Sequence, residues 1–152
     1  MAELWLALHR EHLRGPSRQV RATRRNRELA QSHLRQLATL KQVWVLASRA
    51  DVLGYAAAVP NLSPVEMCFS SAAVTDLYLR PEWRGKGWGR RLLRRALADI
   101  RRRGLDAVTI SVAHDSPARN LYTAEGFTPW METLLQRFDG PVPSRLVAPE
   151  AP

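Results

Sequence analysis

The segment Arg84-Gly85-Lys86-Gly87-Trp88-Gly89 constrains this chain more than any other. It follows an apolar stretch, Ala72 to Arg80, that reads as a strand. It opens a stretch, Trp88 to Arg103, whose Leu92, Leu93, Ala96, Leu97 and Ile100 fall on one helical stripe. A further alternating run, Ala107 to Ala113, follows with Val108, Ile110 and Val112. Strand, crossover helix and strand in that order require a parallel pair. The junction could be no more than a permissive loop. Against that, alternating glycines are costly in chain entropy unless something must come close to the backbone. The first turn of the helix also leaves N–H groups without acceptors, which suit a phosphate or pyrophosphate.

The rest of the chain surrounds this unit. Residues 1–14 read as a helix, with Leu4, Trp5, Leu8, His12 and Leu13 at helical spacing, stopped by Gly15-Pro16. Residues 17–41 read as a second helix whose apolar face is Leu29, His33, Leu37 and Leu40. Val43–Ser48 and Val52–Val59 read as a hairpin turning at Arg49-Ala50-Asp51, and Asn61–Ser71 as a loop. Strict alternation along Ala72–Arg80 puts Leu77 and Leu79 on one face and Val74, Asp76 and Tyr78 on the other. Gly104 suits the residue after the helix. Ser116 can cap the next helix, with Pro117 in its first turn, and Gly126 ends that helix. Thr128–Phe138 reads as a last strand and Asp139–Pro152 as a proline-rich, flexible tail. The predicted order is α-α-β-β-β-α-β-α-β, one α/β (α+β) domain over residues 1–138 with helices on both faces of a mixed central sheet.

Composition narrows the class. At 152 residues the chain can bury one real core, and its hydrophobic content of 45% is that of a globular protein. No apolar run is long enough to span a bilayer and no basic leader precedes an apolar stretch, so a cytoplasmic setting is the expectation. The lone cysteine, Cys68, excludes an internal disulfide and a cysteine metal cluster. The charge of +9, nearly all of it arginine, admits three readings: an anionic ligand, nucleic acid, or solvated helix faces, the last accounting for most of it.

A second element lies downstream, Asp115-Ser-Pro-Ala-Arg-Asn-Leu-Tyr122-Thr-Ala-Glu-Gly126-Phe127. With the R-x-x-G-x-G run of Arg84, Gly87 and Gly89, it resembles the acetyl-CoA site of the GNAT superfamily of acyl-CoA-dependent N-acetyltransferases. The specific motifs lie within residues 76–127. The resemblance implies a GNAT fold and acetyl-CoA as acyl-donor cosubstrate. It implies that the amides of Arg84, Gly85, Lys86, Gly87, Trp88, Gly89 and Arg90 hold the pyrophosphate. Backbone groups of Leu77, Tyr78 and Leu79, on a strand that splays from its neighbour, would pair with the pantetheine arm. Ala118 is the small residue expected beside the cosubstrate. Tyr122 matches a tyrosine that hydrogen-bonds the CoA sulfur and can protonate the departing thiolate; packed in a helix, it would otherwise be structural. Asp115 stands where the family has asparagine. It can accept that residue's hydrogen bond but cannot donate one.

The amine must lose a proton before it attacks. Asp76 is the carboxylate nearest the splayed strand end, with Glu66, His9 and His12 more distant, and a water relay is common in the family. The acceptor, a primary amine of a small molecule or peptide, is expected near Trp5, His9, Glu11, His12, Glu66 and Trp130. Cys68 has no activating neighbour for a covalent route. The family opens with a strand that is not read before the first helix here: either the sheet is shortened, or a second subunit covers its edge, or the start codon is misassigned, and a homodimer is the expectation. The rival reading is a basic, non-enzymatic module that binds nucleic acid through residues 14–27 and the arginine-rich helix. That reading explains neither the glycine spacing nor Tyr122.

Overall fold

The computed structural model describes residues 1–12, 23–61, 70–113 and 116–132. Two helices come first, α1 (Ala2–His12) and α2 (Arg24–Thr39), then strands β1 (Val43–Ala47), β2 (Val52–Pro60) and β3 (Ser71–Leu79). A single 3-10 turn, Pro81–Trp83, leads through the glycine segment into α3 (Trp88–Arg102), followed by β4 (Ala107–Ile110) and α4 (Ala118–Ala124). The strands form one mixed sheet in the order β1-β2-β3-β4. The first three are antiparallel and β3 runs parallel to β4. Among the described residues no strand precedes α1, and β1 is an edge of the sheet.

The hairpin forms where its turn chemistry allows. The Ser48 hydroxyl accepts from the amides of Ala50 and Asp51, while the Ser48 amide donates to the Asp51 carbonyl. β2 is buried along most of its length because both of its faces are covered. On one face Ala56 and Ala58 join Trp44, Ala72, Val74, Leu79 and the α3 residues Leu92, Ala96 and Ile100. On the other, Tyr55, Ala57 and Tyr78 pack with Leu4 and Leu8 of α1 and Leu34 and Leu37 of α2. Each buried leucine or isoleucine of α3 contributes about 1.5–3 kcal/mol of apolar transfer. The alanines of β2 let the helix sit close to the sheet. Trp44 anchors the same face from β1, its indole N–H donating to Asp99 Oδ2 at 2.6 Å.

Several sequence expectations change. The buried stripe of α2 is Ala30, Leu34 and Leu37, whereas Leu29 and Leu40 are exposed. The Leu29-His33-Leu40 face is therefore rotated by about one residue from the true one; small Ala30 gives little hydrophobic signal although it is fully buried. Thr23 caps this helix by accepting from the Asn26 amide at 3.1 Å. Leu6 of α1, outside the expected stripe, is fully buried. The alternation assigned to β3 is also corrected. Ala57 faces Asp76 and Ala58 faces Val74, so Thr75 is an extra residue, a β-bulge. The bulge moves Val74 to the α3 face with Leu77 and Leu79, while Asp76 and Tyr78 stay on the α1–α2 side. β4 ends at Ile110 rather than Ala113. Residues 128–132 of the expected last strand carry no regular structure. Residues 133–138 and the tail 139–152 lie outside the described residues.

Candidate active site

The parallel pairing of β3 with β4 stops early. Ser71 to Val74 face Ala107 to Ile110, and beyond Val74, among the described residues, the strand has its neighbour β2 on one side only. Leu77, Tyr78 and Leu79 thus lie on a stretch of β3 that β4 does not cover. The bulge at Thr75 sits at the point of departure, where the added twist turns β3 away from β4.

The other wall is the glycine segment. Gly85 and Gly87 have φ of 71° and 79°, conformations that a side chain strains. A Cβ at either position would meet nothing within 4 Å, so both glycines serve conformation and leave the surface open. Gly89 is different: a Cβ there would stand 3.4 Å from Leu79 Cδ1 and 3.7 Å from Leu121 Cδ2, at the seam of β3, α3 and α4. Arg91 is the first residue whose amide donates back, to the Gly87 carbonyl at 3.1 Å. Among the described residues, the amides of Gly85 through Arg90 have no acceptor. The helix dipole adds positive potential at the same place.

Arg84, the first residue of the run, turns its side chain inward. Its Nε donates to the Leu79 carbonyl and its Nη2 to Glu11 Oε1, both at 2.9 Å, and its guanidinium lies over the Tyr78 ring. The Tyr78 hydroxyl reaches the same Glu11 oxygen at 3.5 Å, and burial, reinforced by Glu11, raises its pKa. Glu11 therefore ties the end of α1 to the end of β3, a link with no local sequence signal because the residues are 73 apart. Lys86 donates to the Glu82 carbonyl at 2.9 Å near the Trp83 ring, and Trp88 stands edge-on to Trp83 beneath Arg91.

Gly54 on β2 escaped sequence reasoning. A Cβ there would fall 2.3 Å from Leu79 Cδ2 and 2.5 Å from the Tyr78 carbonyl oxygen. Only glycine lets β2 approach β3 behind the uncovered stretch. Its sole sequence trace is a glycine inside an otherwise apolar strand.

Asp76 is buried. The Tyr55 hydroxyl donates to its Oδ1 at 3.3 Å and the Thr75 hydroxyl to its Oδ2 at 2.8 Å. Burial, with Asp76 alongside, pushes the Tyr55 phenol far above its ordinary range. Tyr122 is buried in α4, edge-on to Phe127 at 6.0 Å, and burial raises its pKa to about 12. Among the described residues no side chain hydrogen-bonds its hydroxyl. Ala118 opens α4 and Pro117 is its N-cap, one residue later than expected; the Ser116 hydroxyl still accepts the Ala118 amide at 3.3 Å. Asp115, Glu66 and Cys68 lie outside the described residues, as does the side chain of His12. His9 donates through Nδ1 to the Trp5 carbonyl at 2.9 Å and stacks on the Trp5 ring, so it is already engaged within α1. Trp130 is exposed.

Much of the arginine face has internal partners. Arg90 and Arg94 meet Glu125, Arg95 and Arg102 meet Asp99, and Arg91 and Arg103 lie over Trp88 and Trp44. Two surface hollows lie by the far end of α3, beside Gly104 and Trp44, away from the glycine segment. No helix among the described residues is long and apolar enough to cross a membrane.

Known proteins share this fold. A GCN5-related N-acetyltransferase from Ralstonia eutropha is 18% identical, with a TM-score of 0.68 over 90% of this chain and 92% of that one. The aminoglycoside N-acetyltransferase AAC(6')-Iy, solved in complex with CoA, is 13% identical, with a TM-score of 0.66 over 90% and 88%. A transcriptional regulator from Bacillus halodurans is 16% identical, with a TM-score of 0.71 over 90% and 93%. The sequence has no significant match among curated proteins. The sequence profile of the acetyltransferase (GNAT) domain matches residues 39–129, from the end of α2 to beyond α4. Spanning more than half of the chain, this match shows that the chain belongs to the GNAT family and is an acyl-CoA-dependent acetyltransferase.

Proposed function

We propose that the protein moves an acetyl group from acetyl-CoA to a primary amine of a small molecule or peptide, by direct attack in a ternary complex. The observation that carries this is the run of amides from Gly85 through Arg90, without acceptors among the described residues and beside a strand that β4 leaves uncovered. The residues present fit the cosubstrate. Open, positive-φ turns at Gly85 and Gly87 let a pyrophosphate reach the amides of Gly85 through Arg90, Lys86 and Trp88 included, while the Arg84 amide is engaged by the Pro81 carbonyl. The uncovered groups of Leu77, Tyr78 and Leu79 suit the amides of a pantetheine arm. Asp115 and Ala118 would flank it. Acetyl-CoA supplies the activated acyl carbon and a thiolate leaving group.

The chain's own residues handle the protons. Tyr122, kept neutral by burial, holds a proton for the departing sulfur. Asp76 is the base, reached through the Thr75 hydroxyl, which is the exposed partner of its carboxylate. A proton lost by the ammonium would enter at Thr75 as Thr75 passes its own to Asp76. A cytoplasmic setting accords with the single cysteine. Calorimetry with acetyl-CoA and with duplex DNA tests the reading. Saturable, salt-tolerant binding of acetyl-CoA is expected. Binding of DNA alone, weakening steeply with salt, would favour the nucleic-acid module instead. An amine screen that follows thiol release then identifies the acceptor.

A further inference from the structure

Glu125 lies at the end of α4, three residues after Tyr122, and its side chain is 6% exposed although it carries a carboxylate. Two arginines of α3 account for that burial. Arg94 Nε donates to Oε2 at 2.6 Å, and Arg90 Nε stands 3.0 Å from Oε1 without the alignment of a hydrogen bond. The Arg94 bond holds the carboxyl below its usual range. α4 is short, seven residues, and among the described residues Tyr122 is its one buried residue. Gly126, at φ 88°, turns the chain immediately afterwards, and the Phe127 amide returns to the Tyr122 carbonyl at 3.0 Å. The Glu125 bonds therefore fix how the helix bearing Tyr122 sits against the first turns of α3, where the open amides lie.

We propose that Glu125 is a positioning residue for acetyl transfer: its buried carboxylate, clamped by Arg94 and Arg90, holds Tyr122 in register with the glycine turn. This rests on the assignment of Tyr122 as proton donor. A short helix held by a single charged clamp is a sensitive place, since a displacement of about 1 Å at a reacting group can cost on the order of 100-fold in rate. Breaking the clamp leaves both arginines in place at the glycine-segment side, so ligand binding changes less than turnover.

The test measures kcat and the KM for acetyl-CoA in Glu125→Gln, Arg94→Gln and the swap Glu125→Arg/Arg94→Glu. Glu125→Gln is expected to lower kcat about tenfold and to leave KM within about twofold. The swap is expected to recover most of the loss. Arg94 is 65% exposed, so Arg94→Gln keeps the test open should Glu125→Gln not fold. Adding Glu125→Gln to Tyr122→Phe should lower turnover no further, because the clamp acts through that tyrosine. Unchanged kcat in folded Glu125→Gln or Arg94→Gln overturns the proposal. So does a swap as slow as the single variants, or an equal loss in the Tyr122→Phe background. Failure of the wild-type chain to turn over acetyl-CoA overturns the functional reading itself, and the clamp with it.

Discussion

Gly54→Ala adds one methyl group at the worst available place. The new Cβ would lie 2.3 Å from Leu79 Cδ2 and 2.5 Å from the Tyr78 carbonyl oxygen. The leucine tip can rotate away. The carbonyl cannot, because it belongs to a backbone paired across Gly54–Leu79 and Tyr55–Tyr78. Relief requires β2 and β3 to part. Overpacking of this kind costs about 1–3 kcal/mol, and the backbone clash places it near 3. For a chain of this length each kcal/mol lowers Tm by about 2–4 °C, so a fall of about 6–12 °C is expected in differential scanning calorimetry. Gly104→Ala is the control. Its φ is 81°, but its Cβ would meet nothing within 4 Å. It should cost only the left-handed strain, about 1–2 kcal/mol. The clash also falls on the strand proposed to carry the pantetheine arm, so acetyl-CoA affinity should drop in Gly54→Ala and hold in Gly104→Ala. A Gly54→Ala variant as stable as Gly104→Ala, or more so, would refute the close-approach argument.

Further outcomes follow from the structure. Gly87→Val should remain folded, since its Cβ meets open space, yet lose acetyl-CoA binding in calorimetry because the branched residue leaves the positive-φ turn; wild-type affinity in the folded variant would remove the glycine turn from the site. Tyr122→Phe should cut kcat by about 10²-fold or more with Kd little changed. Burial raises the Tyr122 phenol from about 10 to about 12, so its contribution to stability is intact below pH 10 and lost as pH rises through 12; the wild-type rate should show no alkaline fall from this group below about pH 11, as a pH profile would reveal. Asp115→Asn should keep or tighten acetyl-CoA binding, and a large loss in calorimetry would show that the carboxylate has its own partner. The bare edge of β1, with Val45 exposed, should support a dimer in light scattering over a dilution series, and a monomer at high concentration would show that the edge stands alone.

The parts of this protein that obey one period were legible. α3 shows its stripe because large residues repeat at helical spacing, and the hairpin shows itself through Ser48-Arg49-Ala50-Asp51 between β-branched runs. Gly104 and Gly126 both take the positive φ expected after a helix. What escaped depends on tertiary approach. Gly54 matters because the β3 backbone packs against its missing side chain, and Ala30 because its small methyl is fully buried, neither of which a hydropathy pattern records. The bulge at Thr75 is set by pairing with β2, so alternation alone misplaced Val74. The links from Glu11 to Arg84 and from Glu125 to Arg90 and Arg94 join distant segments. The glycine run was readable because its amides and φ values are local properties; the partners of Asp76 were not.

The bulge also divides β3 into two half-strands of opposite parity. Before Thr75 the even positions, Ala72 and Val74, meet α3; after it the odd positions, Leu77 and Leu79, do. A polar substitution scan along the strand should therefore change phase in mid-element, and deleting Thr75 should scramble one half while sparing the other. The change of phase falls where β4 lets go. The gap between β3 and β4 beyond it is thus written into the covalent count of residues, and among the described residues no strand has to be prised from another to make it. A ligand entering it faces no opening step, so its association should follow a single exponential whose rate grows linearly with concentration.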